Sequence, residues 1–240
     1  MNTDFDASFR TTRWTRVLAA KGDSAESKLA LSDLCEAYYG PVHSFIRHSP
    51  LGRQEDEARD LTHEFFSRIL DQPGLESLER GRGKFRSYLL GAVKHFLSDQ
   101  RKFRQAKKRG GGSEVVSIDG EEGQQLPAAE ADSTSDAKFD REWALAVVSR
   151  ATDQLASDYE SAGKNELFET LKPWLNGNAP ALSQAEAAGQ LGLSEGALKV
   201  AIHRLRKRFR ESVTGEIRET VETDEEISIE LNFLIEALGR

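Results

Sequence analysis

Between Leu182 and Arg210 the chain reads LSQAEAAGQLGLSEGALKVAIHRLRKRFR, which places two helix starts on either side of one tight turn. Ser183 followed by Glu186 is a capping box, in which each side chain satisfies a backbone N–H at the opening of a helix. Gly192 can adopt the left-handed conformation that ends this short helix, and Ser194 can cap the next. In the second helix Leu198, Ile202, Leu205 and Phe209 recur at helical spacing and share one stripe. Glu195, Lys199, His203, Arg206 and Arg210 are left for the opposite face. A DNA-reading helix needs this division, because apolar residues fix its angle to the body while polar and cationic ones reach base edges and phosphates. The stretch therefore predicts a helix-turn-helix. An ordinary amphipathic helix with a solvated basic face would share the stripe but not the capped turn before it.

The charge balance qualifies that reading. The 240 residues carry 33 Lys plus Arg against 40 Asp plus Glu, a formal net charge of -7. Cations gather at Arg101, Lys102, Arg104, Lys107, Lys108 and Arg109 and again from Arg204 to Arg210, while acids crowd Glu114 to Asp136 and Glu216 to Glu236. Such a chain is expected to bind DNA weakly alone, since the acidic tracts repel the phosphates that the basic patches attract. The single cysteine, Cys35, excludes an internal disulfide and a cysteine-based zinc site. No apolar run approaches the length of a membrane span, so a soluble, cytoplasmic protein is expected.

Nearly every periodic segment has helical spacing, with Val115 to Ile118 the sole weak strand candidate, so the fold is expected to be all-α. Thr12 can cap a first helix burying Trp14, Val17 and Leu18. The next carries Leu31, Leu34, Cys35 and Tyr38 and is expected to break at Gly40 and Pro41, with Pro41 starting another turn. A helix from about 54 to 70 turns Leu61, Phe65 and Ile69 inward, leaving Asp60, His63, Glu64, Ser67 and Arg68 outside. The helix after Gly83 is expected to bury Phe85, Leu89, Ala92, Phe96 and Phe103 before entering the first basic cluster; Tyr88 lies off that stripe, and core packing or base stacking both remain open for it. Gly110 to Gly112 open an acidic linker. Beyond it come helices with Trp143, Val147 and Leu155, then Leu167, Phe168, Leu171 and Trp174, then the helix-turn-helix. Ile227, Leu231, Leu234, Ile235 and Leu238 predict a docked amphipathic helix at the C-terminal end.

Catalytic signals are poor. Asp60 and Glu64 form an i, i+4 carboxylate pair with no nucleophile or metal ligand nearby. The five histidines lack the HExxH spacing, and the glycine run lacks the Lys-Ser/Thr of a phosphate loop. No enzyme and no cofactor is expected.

The order of ARDLTHEFFSRIL, GKFRSYLLGAVKHFLSDQRKFR, an acidic linker and LSQAEAAGQLGLSEGALKVAIHRLRKRFRE resembles the extracytoplasmic-function (ECF) type of bacterial RNA polymerase sigma factor over most of the chain. The resemblance implies two small helical domains joined by a flexible acidic linker. Their expected limits are an N-terminal extension helix at 1–22, a sigma region 2-like domain at 23–109, the linker at 110–136, a region 4-like helix-turn-helix domain at 137–213 and an acidic extension helix at 214–240. It implies core RNA polymerase (the β′ clamp helices and the β flap) and promoter DNA as partners, with an anti-sigma or other regulatory protein as a further one. Asp60, His63, Glu64, Ser67 and Arg68 would then face the clamp. Tyr88, His95, Arg101, Lys102, Arg104, Lys107, Lys108 and Arg109 would engage and melt the minus-ten element, and Glu195, Lys199, His203, Arg206 and Arg210 would read the minus-thirty-five element. Departures are visible: Tyr88 stands where the family usually has Trp, His95 where it often has Asn, and Val200 and Ala201 where small polar and Arg residues are common. The two extensions are either extra packing surface or regulators acting in place of a separate protein. The rival reading is an operator-binding regulator that uses the helix-turn-helix alone and never meets the polymerase.

Overall fold

The computed structural model describes residues 25–71, 85–108, 133–175, 182–221 and 223–239. The expected helix after Thr12, the Val115–Ile118 stretch and Gly110 to Gly112 lie outside these residues. Among the described residues the fold is all-α: α1 (Ala25–Arg47), α2 (Glu55–Asp71), α3 (Phe85–Lys108), α4 (Ser133–Ser161), α5 (Asn165–Leu171) with a 3-10 turn at Lys172–Trp174, α6 (Gln184–Gln190), α7 (Glu195–Arg218) and α8 (Asp224–Gly239). No described helix is long and apolar enough to cross a membrane.

The apolar stripes close into two cores. The first gathers Leu34, Tyr38, Val42 and Ile46 of α1, Leu61 and Phe65 of α2, and Phe85, Leu89 and Val93 of α3. Onto these pack Phe139, Trp143 and Val147 of α4, Val213 and Ile217 of α7, and Ile227, Leu234 and Ala237 of α8. The second core, of Leu155, Tyr159, Phe168, Leu171, Ala187, Leu198, Ile202 and Leu205, holds the helix-turn-helix together. Each such large apolar side chain stabilises the fold by about 1.5 to 3 kcal/mol when fully buried. Helices α4 and α7 run through both cores, and half-buried Phe209 touches each. Two of the expected limits, at 136 and 213, fall inside elements, while those at 22 and 109 lie outside the described residues. Helix α4 starts at Ser133, within the stretch expected as linker, where Asp136 in its first turn accepts from Lys94 of α3 (2.7 Å). The limit at 213 falls within α7.

Three expectations are corrected. Helix α1 does not break at Gly40 and Pro41 but runs through to Arg47. A proline inside a helix removes one N–H and orphans the carbonyl four residues earlier, here that of Ala37. Arg150 of α4 supplies the missing donor, its Nη1 reaching the Ala37 oxygen at 2.8 Å while its Nε donates to Glu216 of α7 at 2.7 Å. Phe103 is not core but 61% exposed. Helix α3 contributes no core member after Leu97, and its last turns meet the polar start of α2, where Arg104 lies 3.7 Å from Glu57. In α8, likewise, Ile235 faces outward while Glu230, which hydrophobic periodicity could not flag, is buried.

Arg150→Ala should lower stability by about 1 kcal/mol, because a part-buried carbonyl loses its donor. Adding Pro41→Ala restores an N–H to the Ala37 carbonyl and should recover part of that loss. Urea unfolding of the two variants would show no recovery if the proline carbonyl is not what Arg150 serves.

Candidate nucleic-acid interface

The turn chemistry of the helix-turn-helix is built as its residues require. Ser183 Oγ accepts from the Glu186 N–H (3.2 Å), and the Glu186 carboxylate accepts from the Ser183 N–H (2.8 Å) and hydroxyl (2.7 Å). These bonds hold the Glu186 carboxyl below the usual Glu range. The capping box thus contributes above that range and is lost as the pH falls through the lowered value. Gly192 sits at φ 64°, where any L side chain would be strained, and Ser194 Oγ accepts from the Ala197 N–H at 3.2 Å. The buried face of α7 fixes what remains outside: Glu195, Lys199, His203 and Arg210 are all exposed.

Arg206 behaves differently from its expected partners. Its Nε and Nη2 donate to the Trp174 carbonyl at 3.1 and 3.0 Å, so the guanidinium also ties α7 to the end of the 3-10 turn, although the residue stays exposed. Periodicity assigned it a face but could not reveal an acceptor 32 residues away. A groove beside α7, lined by Tyr159, Leu167, Leu193 and Val200, carries Lys164 and Arg204 on its walls. These two cations were not singled out from the sequence, although Arg204 lies in the basic run noted there. Arg208 lies over the Tyr159 ring, 5.4 Å from its centroid.

A second cationic surface lies on the C-terminal end of α3. Arg101, Lys102, Phe103 and Lys107 are exposed there, Arg104 is half-buried 3.7 Å from Glu57, and Lys102 lies 3.6 Å from Asp99. Lys108 ends the helix, and Arg109 lies outside the described residues. His95 is exposed on the same helix. Tyr88 is half-buried, its ring tilted against Phe85 at 6.2 Å, and burial pushes its hydroxyl up to about 12. It is therefore less available for stacking than Phe103, which the sequence assigned to the core.

The outer face of α2 forms a third surface. Asp60 and Ser67 are exposed. His63 Nε2 is 3.0 Å from the Tyr39 hydroxyl, and the Glu64 carboxylate accepts from Gln100 (2.7 Å) and Arg68, whose guanidinium also lies over Phe96. The five expected residues thus share one face, but Glu64 and Arg68 are already tied to α3 and to each other.

The family model for the ECF sigma factor matches residues 15–215. The chain belongs to that family. No curated protein and no solved structure matches it. As a sigma factor it has a role in transcription initiation and promoter recognition, and its family implies RNA polymerase and promoter DNA as partners. The match spans α1 to most of α7 and ends before α8.

In this sigma factor Arg206→Ala should lower the unfolding midpoint, with a loss of about 1 to 3 kcal/mol for an unsatisfied carbonyl, whereas Lys199→Ala should leave it unchanged. Thermal unfolding of both variants distinguishes an internal tie from a surface contact; equal midpoints would mean that Arg206 does no structural work.

Proposed function

We propose that this sigma factor docks on core polymerase through the outer face of α2, reads the minus-thirty-five element with α7, and engages the minus-ten element with the C-terminal end of α3. What carries the reading is the conjunction of the family match with a capped helix-turn-helix whose outer face remains exposed. In this assignment Asp60, His63 and Ser67 meet the β′ clamp helices, and Glu64 and Arg68 fix the face they stand on. Glu195, Lys199 and His203 approach base edges, Arg210 approaches the backbone, and the groove beside Val200 suits the β flap. On α3, Arg101, Lys102 and Lys107 hold phosphates while Phe103 offers a stacking face to an unpaired base, a combination suited to single strands. His95 lies on the same helix, within reach of the displaced strand. An operator-binding regulator would need none of the α2 or α3 surfaces.

Run-off transcription with core polymerase, with and without this chain, tests the whole. Promoter-dependent initiation only in its presence is the expected result, and its absence with a competent core would overturn the proposal. Asp60→Arg should abolish retention of core polymerase without changing the helical circular dichroism, because the residue is exposed while Leu61 and Phe65 carry the packing; unchanged retention removes the α2 docking surface. Phe103→Ala should slow opening of duplex promoters, read by permanganate reactivity of unpaired thymines, and the defect should shrink on templates already mismatched across the start region. An equal defect on both templates would rule out a role in melting.

A further inference from the structure

The outermost line of α7 is not the one that sequence spacing singled out. Leu198, Ile202 and Leu205 are buried in the second core and half-buried Phe209 packs against it. Successive residues turn by about 100° around a helix, so positions two residues earlier lie about 200° away, on the opposite side. Those positions are Gly196, Val200, His203 and Lys207, and all four are exposed. Lys199, Arg206 and Arg210 each directly follow a member of the apolar stripe, which puts them on one flank, about 100° from the core. On that flank Arg206 is already turned to the Trp174 carbonyl.

Val200 is the apolar member of this outer line. It is 49% exposed and belongs to neither core, standing at the rim of the groove beside α5. A β-branched residue at such a position lowers helix propensity, so neither packing nor local structure asks for it. Around it the surface is cationic. His203 and Arg204, three and four residues on, are its neighbours along the helix surface, with exposed Lys199 beside it and Lys207 beyond, 3.9 Å from Glu211. One turn earlier Gly196 presents no side chain, and a Cβ there would meet nothing nearer than Ser194 Oγ at 4.0 Å. Packing does not demand that glycine, which leaves room for a partner to approach Val200 closely.

The surrounding cations fit a polyanion, yet an apolar side chain gains nothing from a phosphate. The first turns of a recognition helix meet base edges in the major groove, and the one apolar group presented there is the 5-methyl of thymine. Val200 lies in the second turn of α7. We infer that Val200 reads the 5-methyl group of a thymine in the minus-thirty-five element, with His203 and Arg204 holding the polar edges and backbone beside it. A cytosine or guanine at that place is disfavoured because its polar edge would face a valine and lose its water without a partner. The inference deepens the proposed function and rests on α7 entering that element.

The test uses holoenzyme assembled from the full-length chain and core polymerase. It first selects duplexes from a pool randomised across the upstream element, and the thymines of the selected element are then replaced one at a time by uracil. Uracil keeps the base pairing and removes only the methyl. At one position the replacement should weaken wild-type binding roughly fourfold, the worth of one buried methyl group, and holoenzyme carrying Val200→Ser should be indifferent to it. Wild type that tolerates uracil at every position overturns the inference, as does Val200→Ser that keeps the wild-type sensitivity. Val200→Ser that loses retention of core polymerase in a pull-down also overturns it, because the residue then serves the groove and not a base. Should Val200→Ser fail to fold by circular dichroism, Val200→Gln, a better helix former, is read in its place. If wild-type holoenzyme selects no upstream element, the proposed reading by α7 fails and this inference with it; an element selected without sensitivity to the methyl sinks the inference alone.

Discussion

One guanidinium organises the centre of this protein. Arg86 draws together helices from three separate parts of the sequence, since Asp140 and Glu230 lie 54 and 144 residues away from it. A buried cation is costly to desolvate, and removing one partner from such a pair typically destabilises by about 3 to 5 kcal/mol. The rings of Trp143 and Phe233 lie against the cation and exclude water, which strengthens both ion pairs. The packing there admits little variation in register: α4 and α8 must both present their acids where α3 presents Arg86. Around it, burial pushes the Tyr38 hydroxyl up to about 12, so this tyrosine stays protonated and accepts from Trp143.

From that centre the long helices carry geometry outward. Helix α7 is one continuous helix whose first half presents the residues proposed to face DNA and whose second half buries Val213 and Ile217 in the first core. Helix α4 couples the cores in the same way, with Trp143 in one and Tyr159 in the other. The orientation of the helix-turn-helix is thus set partly by contacts far from its own turn. Arg150 extends the logic to a local defect, since the carbonyl orphaned by Pro41 becomes an attachment point for α4.

Much of the proposed site was legible because its signals are short-range. A capping box, a positive-φ glycine and a serine cap act within a few residues, and the structure realises all three at Ser183, Gly192 and Ser194. The exposed faces of α2 and α7 followed from their apolar stripes in the same way. Where reading stopped was at contacts between residues distant in sequence. Arg206 has the spacing of a DNA-facing residue, yet its acceptor is the Trp174 carbonyl. Phe103 has the spacing of a core residue, yet it is exposed in a part of α3 that contributes nothing to the first core.

The sequence by itself determined the helical class, the helix-turn-helix and the family, because periodicity, capping and ordered motifs are written in consecutive residues. Only the tertiary structure decided how the two cores share α4 and α7, why a helix passes through Pro41, and what Glu230 is for. The first depends on apolar side chains far apart in sequence, and the other two on a carbonyl or a charge satisfied across a long stretch of chain. A carboxylate in an acidic helix looks like a solvated one until the fold brings an arginine beside it and removes the water from both.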